Sequence, residues 1–384
     1  MEPIVIIGSG LAGVSFAREY RKLERNASLI IVTADDGGFY SKPELSNALA
    51  SRKSPPQLLQ KSAADMRREL HATLLTGAAV TRIDVAQQVV TGPSGDLAYS
   101  RLVLALGADP IPPTLSGDGA DEVLSVNDLG GYARFRAAIE GRRSVAILGA
   151  GLVGCEFAND LIAAGFAVDV IDVAALPLSR VLPPEPAMAL RDALDKAGVR
   201  WHLGRSAQSV ERMNPALPGQ GLRITLDDGS AVQADVVLSA IGLAPRTRLA
   251  SAAGLAVNRG IVVDAFLRTS DRHVYALGDC AEMNGVVLPH ILPITIGARA
   301  LAWSFHKKEH AASYPVMPVV VRTMSLPVVA CPPAAGVSGR WHVRRLPAGI
   351  MARFIGHEGR LLGFALTGSA CGKRAELIRE MSVE

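Results

Sequence analysis

A Gly-x-Gly-x-x-Gly turn occurs twice in this chain, each time between an apolar run and a helical pattern. Ile4-Val5-Ile6-Ile7 enters Gly8-Ser9-Gly10-Leu11-Ala12-Gly13, and Val145-Ala146-Ile147-Leu148 enters Gly149-Ala150-Gly151-Leu152-Val153-Gly154. In such a turn the first glycine permits the sharp reversal and the second lets a pyrophosphate approach the backbone. The third lets helix and strand pack closely. The free N–H groups at the helix start then face the negative phosphates. A single copy also fits an ordinary strand-to-helix joint. Two copies, each followed by another strand, predict an α/β fold with two Rossmann-like, dinucleotide-binding domains.

The two units differ where an acid would bind the ribose. After the first, Ser28 to Val32 forms the second strand, and the chain then reads Thr33-Ala34-Asp35-Asp36. The acid is displaced by one or two positions, so Thr33 or backbone contacts take its place ahead of Asp35. In the second unit the strand 167–172 ends on Asp172, twenty-three positions after Gly149. That spacing is close to the ~20 expected of a carboxylate on the adenosine ribose. A carboxylate there repels a 2′-phosphate, and no Arg follows it immediately, which favours NADH over NADPH.

Two buried strands that end in glycine, 102–107 and 236–242, bracket the second unit, as crossings into and out of an inserted domain would. The expected organisation is a first dinucleotide domain from 1–109 and 242–313, an inserted one from 110–241, and a small α+β domain from 314–384. Within the first, short strands are expected at 80–85 and 88–91. A later strand ends in Gly278-Asp279, and a helix is expected from Ile294 to about Glu309. The last domain reads as an antiparallel sheet (316–324, 350–355, 361–367) and a closing helix from about 372 to 381.

Composition removes several alternatives. The 384 residues suggest two or three domains at ~150 each, and 49% hydrophobic with 20% charged residues describes a globular chain. The net charge of +4 is spread out, without a Lys/Arg block, so nucleic acid is not an expected partner. Cys155, Cys280, Cys331 and Cys371 form no close pair, which leaves no metal site or local redox disulfide. No apolar run reaches the ~20 residues of a membrane span, and the start reads directly as a strand, without a signal segment. A cytoplasmic location is expected.

The two fingerprints, with Leu102–Gly107, Ala240–Pro245 and Leu277–Asp279, resemble the two-dinucleotide-fold flavoprotein disulfide reductase superfamily across essentially the whole chain. Within it, Tyr40-Ser41-Lys42-Pro43-Glu44-Leu45-Ser46 and Pro318-Val319-Val320-Val321-Arg322-Thr323 resemble the rubredoxin and flavorubredoxin reductase branch. The resemblance implies FAD on the first loop and NADH on the second. Gly8, Ser9, Gly10, Leu11, Ala12, Gly13, Thr33 and Ala34 would hold the ADP portion of FAD, and Val80 on its short strand would contact adenine. Asp279 after Gly278 would bind the ribitol. Ala105, Gly107 and Ala298 would complete the flavin's surroundings, with the helix near Ile294 aimed at its pyrimidine. Gly149, Gly151, Gly154 and Asp172 would hold NADH. Leu106 and Arg246 depart from the family's usual Thr and Asn, and Lys42–Asn47 departs from the ferredoxin-reductase loop.

The resemblance also implies a mechanism. Hydride passes from NADH to the flavin, with Lys42 and Glu156 as the catalytic pair: Glu156 pairs with a lysine beside flavin N5, and Lys42 stabilises charge on the reduced cofactor. Arg322 is a further candidate cation. No cysteine precedes Cys155, so the sulfenate chemistry of related peroxidases and oxidases has no residue to carry it. The electrons then leave singly, to rubredoxin, a small acidic iron protein. Alternatives are a ferredoxin or flavorubredoxin reductase, an NADH oxidase, or a non-catalytic sensor of the NADH/NAD ratio. Monomer and homodimer both stand.

Overall fold

A computed structural model describes residues 2–214 and 221–382. The chain forms two compact units. One comprises Met1–Ser41, Leu59–Asp109 and Leu243–Tyr314; the other comprises Lys42–Leu58, Pro110–Gly242 and Pro315–Glu384.

The first unit is built on a five-stranded parallel sheet in the order Val274–Ala276, Arg101–Leu104, Ile4–Ile7, Leu29–Val32, Thr73–Leu75. Ile4–Ile7 is buried along its whole length, as a central strand covered on both faces requires. Helix Leu11–Leu23 packs against helix Ile291–His306, where Phe16 and Phe305 meet edge to face at 5.2 Å. Helix Ala63–Leu70 begins in a reciprocal capping box between Ser62 and Asp65. A three-stranded antiparallel sheet (Arg82–Asp84, Val89–Gly92, Gly95–Ala98) belongs to the same unit.

The second unit repeats that plan. Its parallel sheet runs Leu124–Ser125, Val236–Ser239, Ser144–Leu148, Ala167–Asp172, Val199–Leu203, with the glycine-loop strand again in the middle. An antiparallel three-stranded sheet (Ala207–Arg212, Leu222–Leu226, Ala231–Ala234) accompanies it. The same unit holds an antiparallel five-stranded sheet, in the order Val319–Val321, Val328–Cys331, Leu361–Gly368, Gly349–Gly356, Gly339–Leu346, covered by helix Arg374–Ser382.

Residues 42–58 group with the second unit, and 315–384 belongs to it as well. Helix Leu152–Ala163 makes polar contacts to both segments, described below, and helix Pro184–Ala197 packs on strands Gly349–Gly356 and Leu361–Gly368. The strands Val328–Cys331 and Gly339–Leu346 have no counterpart in the sequence reading. No helix among the described residues is long and apolar enough to cross a membrane.

Candidate functional site: two glycine-loop cradles and a buried polar helix face

The first glycine loop is closed around its own backbone and open at one point. Gly8 has φ +115°, and a Cβ there would stand 2.2 Å from the carbonyl oxygen of Ala105. A Cβ on Gly13 would stand 2.1 Å from the carbonyl oxygen of Gly8, so helix and strand could not keep this approach. Gly10 is exposed, and a Cβ there would meet nothing within 4 Å. That is the space a phosphate needs. Helix Leu11–Leu23 starts at Gly10 with no side-chain cap and no acid in its first turn, which leaves its leading N–H groups for an anion. The residues present therefore fit the diphosphate of a dinucleotide.

Around this opening the structure gathers most of the expected residues. Buried Ser9 and Thr33 direct their hydroxyls onto Asp35 Oδ1, at 2.9 and 2.6 Å, and the Gly37 N–H donates to the same oxygen at 2.9 Å. Asp35 therefore organises the strand end in place of the usual acid, while Ala34 is exposed beside it. Ala12 backs onto Gly278, which has φ +85°. Asp279 is half-buried and makes no side-chain hydrogen bond among the described residues, so its carboxylate is available to a ligand. Ala105 and Gly107 follow strand Arg101–Leu104, Ala105 buried and Gly107 turning with φ +73°. Leu11 is half-buried at the first turn of the helix.

Three expectations are corrected. Val80 lies in the coil before strand Arg82–Asp84, not on a strand, and only Thr81 behind it bonds across to Thr91. Helix Ile291–His306 starts three residues before Ile294, because Pro293 in the first turn lacks an N–H that would have been unpaired anyway. Ala298, two turns into that helix, is 0% exposed within the apolar core. It presents no surface to a ligand and serves packing. Arg246, the departure from the family pattern, bonds Asp109 at 2.7 Å and the Leu106 carbonyl at 3.1 Å.

The second loop reproduces the cradle. Gly149 has φ +109° with its would-be Cβ 2.6 Å from the Ala240 carbonyl, Gly154 abuts the Gly149 carbonyl, and Gly151 is open. Helix Leu152–Ala163 likewise starts at Gly151 without a side-chain cap or an acid in its first turn. Asp172 is half-buried at its strand end. It accepts hydrogen bonds from the N–H of Ala150 at 2.5 Å and of Ala174 at 2.7 Å, which ties the loop to the strand.

Glu156 is 4% exposed on that helix. Its Oε2 accepts from the Ser46 hydroxyl at 2.5 Å and from Asn47 Nδ2 at 3.4 Å, and its Oε1 accepts from the Arg322 backbone N–H at 2.9 Å. The expected lysine pairing is thus replaced by hydroxyl, amide and backbone donors. Lys42 is half-buried at the opposite end of the same 3₁₀ helix, Lys42–Asn47. Arg322 is exposed, and its Nη1 reaches the Pro43 carbonyl at 3.4 Å. One turn beyond Glu156, Asp160 accepts from the N–H groups of Leu49 and Ala50, both at 2.9 Å, and Asn159 Oδ1 accepts from the N–H and hydroxyl of Ser325 at 3.1 and 2.8 Å. Burial pushes the Asp160 carboxyl above its usual range against the pull of those two N–H groups and Arg136. Asn159 and Asp160 escaped the sequence reading, and Ser46 and Asn47 entered it only as part of a loop pattern, with no role of their own. The detectable signal was Glu-x-x-Asn-Asp on one face of an otherwise apolar helix.

The cysteines stay out of this chemistry. All four are free; Cys155 and Cys280 are completely buried. Burial raises both thiols, Cys280 to about 11, so neither is a ready thiolate at neutral pH. Among the described residues no cluster of His, Cys, Asp or Glu could hold a metal ion.

Comparison with known proteins agrees with this arrangement. Residues 2–299 match the family model described as pyridine nucleotide-disulphide oxidoreductase, and 311–381 match that of a rubredoxin binding C-terminal domain. The chain is 45% identical to a rubredoxin-NAD(+) reductase of Alcanivorax borkumensis over 99% of both chains. It is 40% identical to a rubredoxin-NAD(+) reductase of Acinetobacter baylyi, over 97% of this chain and 96% of the relative. A crystal structure of a ferredoxin reductase from Rhodopseudomonas palustris superposes with a TM-score of 0.88 at 26% identity, covering 100% of this chain and 96% of that one. With two matching glycine cradles and a family model spanning most of its length, this chain belongs to the pyridine nucleotide-disulphide oxidoreductase family.

Proposed function

We propose that this chain is a flavoprotein reductase that takes hydride from NADH and passes electrons one at a time to rubredoxin. The observation that carries the reading is the rubredoxin-binding match over 311–381, joined to the full-length likeness to rubredoxin-NAD(+) reductases. The cysteines support it from the other side: with no reactive thiol at hand, electrons have no internal disulfide to enter.

Bound FAD supplies the conversion from a two-electron hydride donor to one-electron acceptors. The chain's own residues bind and orient. The loop Gly8–Gly13, Thr33, Ala34 and Asp279 would hold FAD, and Gly149, Gly151, Gly154 and Asp172 would hold NADH. Lys42 supplies positive charge to the reduced cofactor, as the family resemblance implies, and Arg322 adds to it. Glu156 acts by fixing Ser46, Asn47 and Arg322. A cytoplasmic setting is supported by four unpaired thiols.

The test is anaerobic NADH-driven reduction of rubredoxin beside ferredoxin and flavorubredoxin. Rubredoxin is expected to be reduced fastest, with turnover falling as ionic strength rises, because an acidic partner meets a mildly basic chain. Faster reduction of ferredoxin would overturn the assignment. Lys42→Met is expected to slow cofactor reduction in stopped flow about tenfold with FAD retained. An unchanged rate removes Lys42 from the mechanism.

A further inference from the structure

Helix Leu152–Ala163 is apolar except for one face, where Glu156, Asn159 and Asp160 stand at i, i+3 and i+4. They are 4%, 5% and 1% exposed. A buried carboxylate bonded to neutral donors is an expensive choice for a helix whose other buried positions are Gly154, Cys155, Phe157, Ala158 and Leu161. Asp160 has no ion pair within 4 Å among the described residues; both its oxygens go to consecutive backbone N–H groups, of Leu49 and Ala50. A leucine would fill the same space but could not direct that backbone. Asn159 treats a second stretch alike, taking both the N–H and the hydroxyl of Ser325 on one oxygen. The two stretches lie 275 to 276 residues apart (325 less 50 and 49), and each carries one of the candidate cations a few residues upstream: Lys42 before Leu49, Arg322 before Ser325.

We propose that Asp160 and Asn159 are positioning residues for the reductase reaction, holding from the NADH-loop helix the two segments that bear Lys42 and Arg322. This rests on the reading that those cations serve the reduced cofactor. The dinucleotide cradle at the start of the helix and the two charged segments then share one rigid element, so their spacing is set by helical geometry instead of by loops. Glu156 is the third member of the row, gripping Ser46 and the Arg322 N–H.

The test uses the FAD-loaded, full-length protein. In Asp160→Asn an amide NH₂ faces one of the two N–H groups, so one bond is lost and a donor meets a donor. Amide exchange of the peptide spanning Leu49 and Ala50 is expected to speed up about tenfold while strand Ser144–Leu148 keeps its protection. The limiting rate of cofactor reduction by NADH is expected to fall about tenfold at unchanged NADH affinity, the signature of lost alignment. Asn159→Ala is expected to raise exchange at Ser325 in the same local way, and it carries the test if Asp160→Asn does not fold. Unchanged local exchange, or a wild-type reduction rate in protein with loosened segments, would overturn the proposal. None of these measurements uses rubredoxin. A wild-type protein that fails to reduce rubredoxin sinks the functional reading while leaving the positioning question to be answered on its own.

Discussion

The two glycine loops have nearly the same backbone and different surroundings. In both, the first glycine turns with positive φ against a carbonyl of a neighbouring segment, Ala105 in one and Ala240 in the other, and the middle glycine faces open space. In both, an uncapped helix follows. The helices then diverge. Leu11–Leu23 buries an apolar stripe against Ile291–His306 and turns its charges outward, with Arg18 bonding Glu69 and Arg21 reaching the Leu70 and His71 carbonyls. Leu152–Ala163 is buried nearly all round and uses its polar residues inward. The difference teaches that the phosphate cradle is a transferable local device, whereas the rest of each helix is specialised. In the proposed function one would nest a lasting cofactor; the other also holds distant segments of the chain.

Three experiments would break or sharpen this contrast. Gly8→Val is expected to have the largest effect. A β-branched residue at φ +115° with its Cβ 2.2 Å from a carbonyl cannot keep the turn. The purified protein should be colourless, and visible flavin absorbance at the wild-type level would refute the role of the first loop. Gly151→Val should be milder and more selective. Its side chain enters open space, so thermal stability and FAD content are expected to hold while KM for NADH rises about tenfold, roughly 1.4 kcal/mol of binding. Loss of FAD in this variant would mean that the two loops do not divide the labour as proposed. Asp172→Ser should be the smallest. A carboxylate that already binds the Ala150 and Ala174 N–H groups is partly committed to its own loop. A several-fold loss in kcat/KM for NADH with little change for NADPH is expected. Equal losses for both nucleotides would show that Asp172 serves only the loop.

Much of this was legible because local chemistry carried it. Gly13 and Gly154 are demanded by clashes with the carbonyls of Gly8 and Gly149, which themselves turn with positive φ, and such short-range constraints leave a fixed spacing in the sequence. Helix Ala63–Leu70 carries a signal of the same local kind, since Ser62 and Asp65 cap it three residues apart. Strand Gly339–Leu346 was not legible. It is an edge strand in which only half-buried Trp341 and Val343 alternate with exposed Arg340, His342 and Arg344, a period-two pattern too short to stand out in a charged stretch. Val80 failed because β-branching is a weak signal of a strand when the partner strand pairs only from Arg82 onward.

By itself the amino-acid sequence determined the two dinucleotide cradles, the strands that lead into them and the absence of a paired redox cysteine. Each of these depends on residues close together in the chain or on residue identity alone. Only the tertiary structure decided what Glu156 touches, that Asp160 and Asn159 join it, and that residues 42–58 and 315–384 share a unit with the second cradle. Those hydrogen bonds join positions 109 to 166 residues apart. A buried polar atom must find a partner somewhere, but its own sequence neighbourhood does not say where.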